Sequence, residues 1–297
     1  MRKRILITGG SGLLGQYVNI EASVKNEILT IYNKFIGNCS SYKNAKIDIS
    51  DFESVRKIFS SFRPEVVIHT AAITNPIPLP DQNPKDVYTI NVNATKNIAE
   101  LCEQTGTQLI YTSTDLVYAG YRGSMLSEDA KVIPVSLYAE TKLMGETKIK
   151  ETFDNYLILR TSLLYGLGLN HSRCHFHKMY EELKNGRPVK LFTDQYRTPI
   201  SLKDASELIT KIAEMDISGE VINLGGMERV SRFELGDIFC SVAGYDKSLL
   251  IKSNLDDLPE LAKVEDVSLN SDKLHSFGLK TKSIQQNIKE IISDISG

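Results

Sequence analysis

Tyr138 and Lys142 stand four residues apart in Tyr138-Ala139-Glu140-Thr141-Lys142, a spacing that puts a phenol and an ammonium on one face of a helix. Free tyrosine, with a pKa near 10, is a poor acid-base catalyst around neutrality. A cation one turn away favours phenolate and is expected to draw that pKa toward the working range. Upstream, Ser113-Thr114-Asp115 follows the apolar run Gln108 to Thr112, so Thr114 is expected at a strand end, placed to hold a carbonyl oxygen beside the phenol. The chemistry this set supports is proton donation to a carbonyl under reduction. A Tyr-x-x-x-Lys pair on a solvated helix face is the plainer alternative, and the order of glycine turn, strand-end Ser/Thr and Tyr-Lys pair weighs against it.

The glycine turn is Thr8-Gly9-Gly10-Ser11-Gly12-Leu13-Leu14-Gly15, with glycines at 9, 12 and 15 after an apolar run and before a helix-like stretch. Missing side chains let the backbone turn tightly, and the N–H groups of the helix start then face a pyrophosphate, which is the reading for Gly9, Ser11, Gly12, Leu13, Leu14 and Gly15. NAD-selective sites usually place an acid at the end of the second strand for the ribose 2′-OH. Here that region reads Tyr32-Asn33-Lys34, with no acid, so Asn33 and Lys34 favour the 2′-phosphate of NADP(H), with NAD(H) the second choice. Lys34 as a solvated surface charge is the competing view. Asp48, followed by Ile49, is expected at the adenine rim or, alternatively, as a cap for the helix starting near Asp51.

The elements that position these groups alternate. Strand-like runs at Arg4 to Thr8, Glu27 to Tyr32, Glu65 to His69, Gln108 to Thr112 and Tyr156 to Arg160 are separated by helix-like stretches at Leu13 to Val24, Asp51 to Phe62, Val87 to Gln104 and Leu137 to Phe153. Val66-Val67-Ile68 and Leu109-Ile110-Tyr111 are apolar without alternation, as befits parallel strands covered on both faces. The pattern predicts an α/β fold with a doubly wound parallel sheet, because right-handed crossovers return each helix to the sheet. The division expected is a dinucleotide-binding domain over 1–165 and a smaller, mainly substrate-binding lobe over 166–297, some segments of which return to the sheet. Helices are expected near Asp204 to Met215 and, from the Ser231…Glu234 capping-box spacing, over Ser231 to Ala243.

Charge and cysteines narrow the class. Lys and Arg number 35 against 37 Asp and Glu, a formal net charge of −2, which argues against a nucleic-acid partner. No apolar run is long enough to span a bilayer, and Met1-Arg2-Lys3-Arg4 leads into no signal-peptide segment, so a cytoplasmic protein with no membrane partner is expected. The four cysteines, Cys39, Cys102, Cys174 and Cys240, are scattered, without a Cys-x-x-Cys pair. One cluster, His171, Cys174, His175 and His177, could bind zinc, with His171 and His175 spaced for one helix face. No second ligand pair accompanies it, so substrate contact or solvation is preferred and no metal is assigned.

From about Lys3 to Gly226 the chain resembles the extended short-chain dehydrogenase/reductase family, a Rossmann-type dinucleotide-binding family. The stretches His69-Thr70-Ala71-Ala72, Asn91-Val92-Asn93-Ala94-Thr95-Lys96-Asn97 and Leu159 to Gly166 carry that likeness beyond the glycine turn and the Tyr-Lys pair. Within the family, Ser113 to Tyr118 and Asp194-Gln195-Tyr196-Arg197-Thr198-Pro199 are most similar to dTDP-4-dehydrorhamnose reductases. The resemblance implies Thr114, Tyr138 and Lys142 as catalytic residues, and Ala71, Ala72, Asn91 and Thr112 at the cofactor, with Asn91 positioning the lysine through a water. It implies Thr74, Thr114, Asp115 and Arg197 at the substrate, Arg197 gripping its pyrophosphate unless it is a plain surface arginine. Two absences direct the choice of reaction: Leu116 follows Asp115 where sugar-nucleotide dehydratases need an acid pair, and no cysteine lies between Thr112 and Met125 where epimerase-reductases need one. Ile73 to Pro80 departs from the run usual in the rhamnose-pathway reductases, which leaves the sugar open.

The expectation is therefore an NADPH-dependent reductase of a nucleotide-activated 4-keto sugar in deoxysugar and polysaccharide biosynthesis. A sugar-nucleotide epimerase of the same family and a non-catalytic cofactor-binding subunit are its rivals, and a homodimer is compatible with all three.

Overall fold

The computed structural model describes residues 2–74, 83–258 and 263–296. The run Asn75 to Pro80, singled out above for sugar specificity, lies outside them. The chain opens with strand β1 (Arg4–Thr8), helix α1 (Leu13–Ser23), β2 (Glu27–Tyr32), β3 (Lys43–Lys46), α2 (Phe52–Phe62) and β4 (Val66–His69). Helices α3 (Pro84–Tyr88) and α4 (Thr95–Thr105), strand β5 (Gln108–Thr114), helix α5 (Leu137–Thr152) and β6 (Tyr156–Thr161) follow. These strands and Glu220–Leu224 form one seven-stranded sheet in the order Glu220–Leu224, β6, β5, β4, β1, β2, β3. Every pairing in it is parallel. This is the doubly wound, Rossmann-like sheet that the alternation of elements predicts.

Burial explains why the strands read as apolar runs. On one face, Ile5, Ile7, Ile68 and Ile110 pack against Leu14 and Val18 of α1 and Leu208 and Ile212 of the helix Leu202–Glu214. On the other, Leu6, Val67, Leu109 and Tyr111 pack against Val55 and Phe59 of α2, Ile98 and Ala99 of α4 and Ile149 of α5. With both faces covered, alternation has no role. A further apolar cluster forms around Tyr165, Phe176, Leu191, Phe239 and Ile288, from later segments.

Four elements differ from expectation. β3, Lys-Asn-Ala-Lys, is an edge strand with three of its residues exposed and no apolar signal. The single helix expected over Val87 to Gln104 is interrupted: a π-helical turn over Thr89–Ala94 joins α3 to α4. Such turns widen a helix where a side chain has another task. Here Asn91 accepts from the Ile73 N–H (2.8 Å) and donates to the Ile73 carbonyl (3.0 Å), anchoring the loop after β4. Finally, the helices His175–Lys184 and Ile284–Ser296 were not expected. The expected start near Asp204 lies at Leu202, with Ser201 as the cap, and the Ser231–Glu234 capping box forms as its spacing implies.

Candidate active site

The sheet order reverses between β1 and β4, and ligands of such sheets bind in the crevice this leaves at the carboxyl ends of the strands. Gly9 ends β1 with φ +68°, and a Cβ there would lie 2.6 Å from the Ala71 nitrogen, so only glycine lets the turn approach the loop after β4. At Gly15 an added Cβ would lie 2.2 Å from the Gly9 carbonyl, so its absence seats α1 on the turn. Gly12 caps α1 without a side-chain bond, leaving the first-turn N–H groups directed at the crevice. A cleft of about 520 Å³ follows, lined by Gly9, Ser11, Gly12, Asn33, Lys34, Asp48, Ile49, Ala71 and Ala72. Asn33 donates to Asp48 (2.9 Å). Burial works to raise the Asp48 pKa, but hydrogen bonds from Ser50 and Asn33 outweigh it and hold the carboxyl below its usual value. The helix-cap alternative for Asp48 falls away, because Asp51 caps α2 by accepting from the Ser54 N–H at 3.1 Å.

A second cleft of about 520 Å³ shares Gly12, Thr70 and Ala72 with the first. Leu13, Leu14, Gly15, Thr74, Thr112, Thr114, Asp115, Tyr138, Lys142 and Arg197 all line it. Every expected site residue thus borders one of two adjoining clefts except Asn91, which lies behind them. Asn91 donates to the Thr141 hydroxyl (3.0 Å) and braces α5 against the loop after β4. β5 runs two residues past its expected end, and this brings Ser113 and Thr114 to the rim. Ser136 caps α5 by accepting from the Ala139 N–H (3.2 Å), which fixes Tyr138 and Lys142 on one face of its first turns.

The electrostatics differ from the sequence expectation. Burial and the Asp115 carboxylate push the Tyr138 phenol well above its ordinary pKa of 10, with only the Thr114 hydroxyl acting against them. Lys142 does not draw it down. Burial lowers the Lys142 ammonium to about 7, with Glu146 opposing, and its Nζ lies 3.9 Å from the centroid of the Tyr111 ring. Phenolate is thus disfavoured by loss of solvent, and the lysine's own charge is weakened by the same cause.

Arg197 is buried, so the surface reading fails. Its Nε lies 3.4 Å from Asp115 and its Nη1 donates to the Tyr196 carbonyl (2.7 Å). Burial raises the Asp115 pKa, with Arg197, Thr114, Arg232 and Ser162 acting against it. Arg232 and His175 border the same cleft; the sequence reading gave Arg232 no role and placed His175 only in the histidine cluster, as a zinc ligand or a substrate contact. Arg232 donates from Nε to Gln195 (3.0 Å) and is lowered to about 9 by burial and by Arg197, with Asp115 opposing. A signal existed: Arg232 directly follows the Ser231 cap, and a cation at a helix N-terminus is opposed by the helix dipole unless it serves something else. His175 is held neutral by burial, Arg232 and Lys178, which lower it to about 4.

The zinc alternative for the histidine cluster is overturned by geometry. His171 lies before the helix that starts at His175 and packs on Phe35 at 4.7 Å. Cys174 donates to the Gly166 carbonyl (3.1 Å), and His177 accepts from the Gly168 N–H (2.8 Å) and meets Glu181 at 3.2 Å. Among the described residues, no group of three His, Cys, Asp or Glu side chains could hold a metal ion.

Comparison with known proteins supplies the family. The family model described as RmlD substrate binding domain matches residues 2–296. Over 263 residues the chain is 27% identical to the probable low-salt glycan biosynthesis reductase Agl14 of Haloferax volcanii, covering 85% of this chain and 84% of that protein. It is 28% identical over 299 residues to methionine adenosyltransferase 2 subunit beta of Mus musculus, covering 97% and 86%. The crystal structure of dTDP-4-dehydrorhamnose reductase from Bacillus anthracis in complex with NADP aligns with a TM-score of 0.86 at 23% identity, over 99% of this chain and 100% of that one. A doubly wound sheet, a glycine turn at its switch point, a Thr-Tyr-Lys set in the adjoining cleft and a match over nearly the whole length together place this chain in the RmlD substrate binding domain family, within the extended short-chain dehydrogenase/reductases.

Proposed function

We propose that this protein is an NADPH-dependent reductase of a nucleotide-activated 4-keto sugar, of the dTDP-4-dehydrorhamnose reductase type. The observation that carries this reading is the convergence of Thr114, Tyr138 and Lys142 with Arg197 in one cleft continuous with the glycine turn. The uncapped start of α1 and the close packing at Gly9 and Gly15 suit a dinucleotide pyrophosphate, and the exposed Lys34 at the rim favours NADP(H) over NAD(H).

Reduced nicotinamide, when bound, supplies the hydride that reaches the keto carbon. Thr114 orients the carbonyl oxygen, and Tyr138 gives its phenolic proton to that oxygen as negative charge develops on it. A raised phenol pKa serves this role: the proton stays on Tyr138 in the resting state and leaves only for a stronger base, the alkoxide. Lys142 lines the same cleft one turn along α5 and binds the nicotinamide ribose, and donors fixed where charge develops lower the barrier more than they aid ground-state binding. Arg197 and Arg232 present guanidinium groups to an anionic part of the substrate. Asp115 is engaged with Arg197, and with Leu116 beside it the cleft lacks the acid pair that a dehydratase requires.

Assay of NADPH oxidation against a panel of nucleotide 4-keto sugars, with product analysis, tests the reading. One NADPH consumed per reduced sugar is the expected result. Isomerised product without net NADPH consumption would identify an epimerase, and bound cofactor without any turnover would identify a binding subunit, the role suggested by the methionine adenosyltransferase relatives. No helix among the described residues is long and apolar enough to cross a membrane, and a cytoplasmic homodimer completes the reading, to be checked by fractionation and sedimentation.

A further inference from the structure

We propose that Tyr111 is a positioning residue for the catalytic lysine: its ring face is the seat on which the Lys142 ammonium rests, and residue 145 is glycine so that this ring can lie beneath α5. The inference rests on the role given to Lys142 above. Lys142 is 2% exposed and Tyr111 is fully buried, with Nζ 3.9 Å from the ring centroid. Among the described residues Nζ has no ion-pair or hydrogen-bond partner, although Glu146 lies one turn along the same helix. The Glu146 oxygens are occupied: Oε1 accepts from Ser113 Oγ (2.6 Å) and Arg160 Nε (3.1 Å), and Oε2 from Arg160 Nη2 (2.8 Å). Of the other groups around the ammonium, Tyr138 on α5 keeps its proton, and His69 on β4 is held neutral, its pKa lowered to about 3 by burial and by Lys142. No full negative charge therefore reaches the ammonium at contact distance, and the electron-rich face of Tyr111 is what holds it. A desolvated contact of this kind is among the stronger cation–π interactions.

The ring is itself held in register. Tyr111 Oη donates to the Lys142 carbonyl at 3.4 Å, so the same side chain touches both the backbone and the head group of the lysine. A Cβ on Gly145 would lie 2.4 Å from Tyr111 Oη and 3.1 Å from Cζ, closer than real side chains pack. The same Cβ would lie 3.1 Å from the Asn91 carbonyl, so the backbone there leaves it little room to turn aside, and the displacement falls on the ring.

The test uses the full-length protein carrying lysine labelled with 13C at the ε position. The Lys142 resonance is identified by its loss in Lys142→Met and titrated by NMR in the wild type, Tyr111→Phe, Tyr111→Met and Gly145→Ala. Tyr111→Phe keeps the ring face and should leave the midpoint within a few tenths of a pH unit. Tyr111→Met keeps much of the volume without the ring, and its midpoint should fall by about one pH unit. Gly145→Ala should move the midpoint the same way, and Tyr111→Phe should partly rescue it by removing the oxygen that the new methyl meets. A Met midpoint equal to the wild type, or Phe and Met shifting it alike, overturns the proposal. Should the Met variant not fold, the Gly145→Ala titration and its rescue decide by the same criteria. The pH profile of NADPH oxidation with dTDP-4-dehydrorhamnose as probe is read in parallel. A wild type that reduces neither this probe nor any other nucleotide 4-keto sugar counts against the functional reading, and the NMR midpoints still decide the role of Tyr111.

Discussion

Replacing Lys142 with Met should abolish activity and at the same time stabilise the protein. The Lys142 pKa falls from 10.5 to about 7 on folding because burial disfavours the ammonium. The unfolded chain thus binds more protons between pH 7 and 10.5, so the lysine destabilises the fold fully below pH 7 and progressively less as pH rises to 10.5. At about 1.4 kcal/mol per pKa unit, the penalty is on the order of 5 kcal/mol at pH 6 and falls to roughly 1–2 kcal/mol at pH 9.5. The methionine variant, of similar length and uncharged, should recover much of it. Urea unfolding of the wild type and Lys142→Met at both pH values provides the assay. A gain about 3 kcal/mol larger at pH 6 than at pH 9.5 is expected as an upper limit. An equal gain at the two pH values, or a variant less stable than wild type at pH 6, refutes the argument that this buried charge is a cost borne for function.

Two further outcomes follow from the same geometry. The Glu146–Arg160 pair is buried, with side chains 1% and 5% exposed and Nη2 2.8 Å from Oε2. Arg160→Met leaves a carboxylate buried without its cation and should cost about 3–5 kcal/mol in urea unfolding, whereas Arg160→Met with Glu146→Met should lie closer to the wild type; a harmless single variant contradicts this. At the cofactor rim, Lys34→Ala should weaken NADPH binding about tenfold in fluorescence titration and leave NADH binding unchanged, and equal loss of both would remove the 2′-phosphate contact from the account.

Much of the fold was legible because doubly covered parallel strands print as apolar runs. Val66-Val67-Ile68 is fully buried, and its strand lies within one residue of the reading. β3 was not legible, since an edge strand of Lys-Asn-Ala-Lys buries little and leaves no pattern. Nor was the π-helical turn at Thr89–Ala94, whose cause is a contact between Asn91 and the distant Ile73. At the site, spacing singled out Tyr138 and Lys142, which line one cleft, but could not give the direction of their pKa shifts. Proximity of a cation argues for a lower phenol pKa, and burial, a property of the whole fold, reverses it. Arg232 escaped because it is 35 residues from Arg197 in the chain, with a helix and a strand between them, and only tertiary packing brings both to the cleft that His175 also lines.

Proton donation by Tyr138 is tested most directly by comparing Tyr138→Phe with the wild type under single-turnover conditions, using NADPH and a nucleotide 4-keto sugar that the wild type reduces. The account predicts NADPH affinity within about twofold of the wild type and a reduction rate lower by roughly 10²–10⁴-fold. A phenylalanine variant that reduces the sugar at the wild-type rate would contradict it.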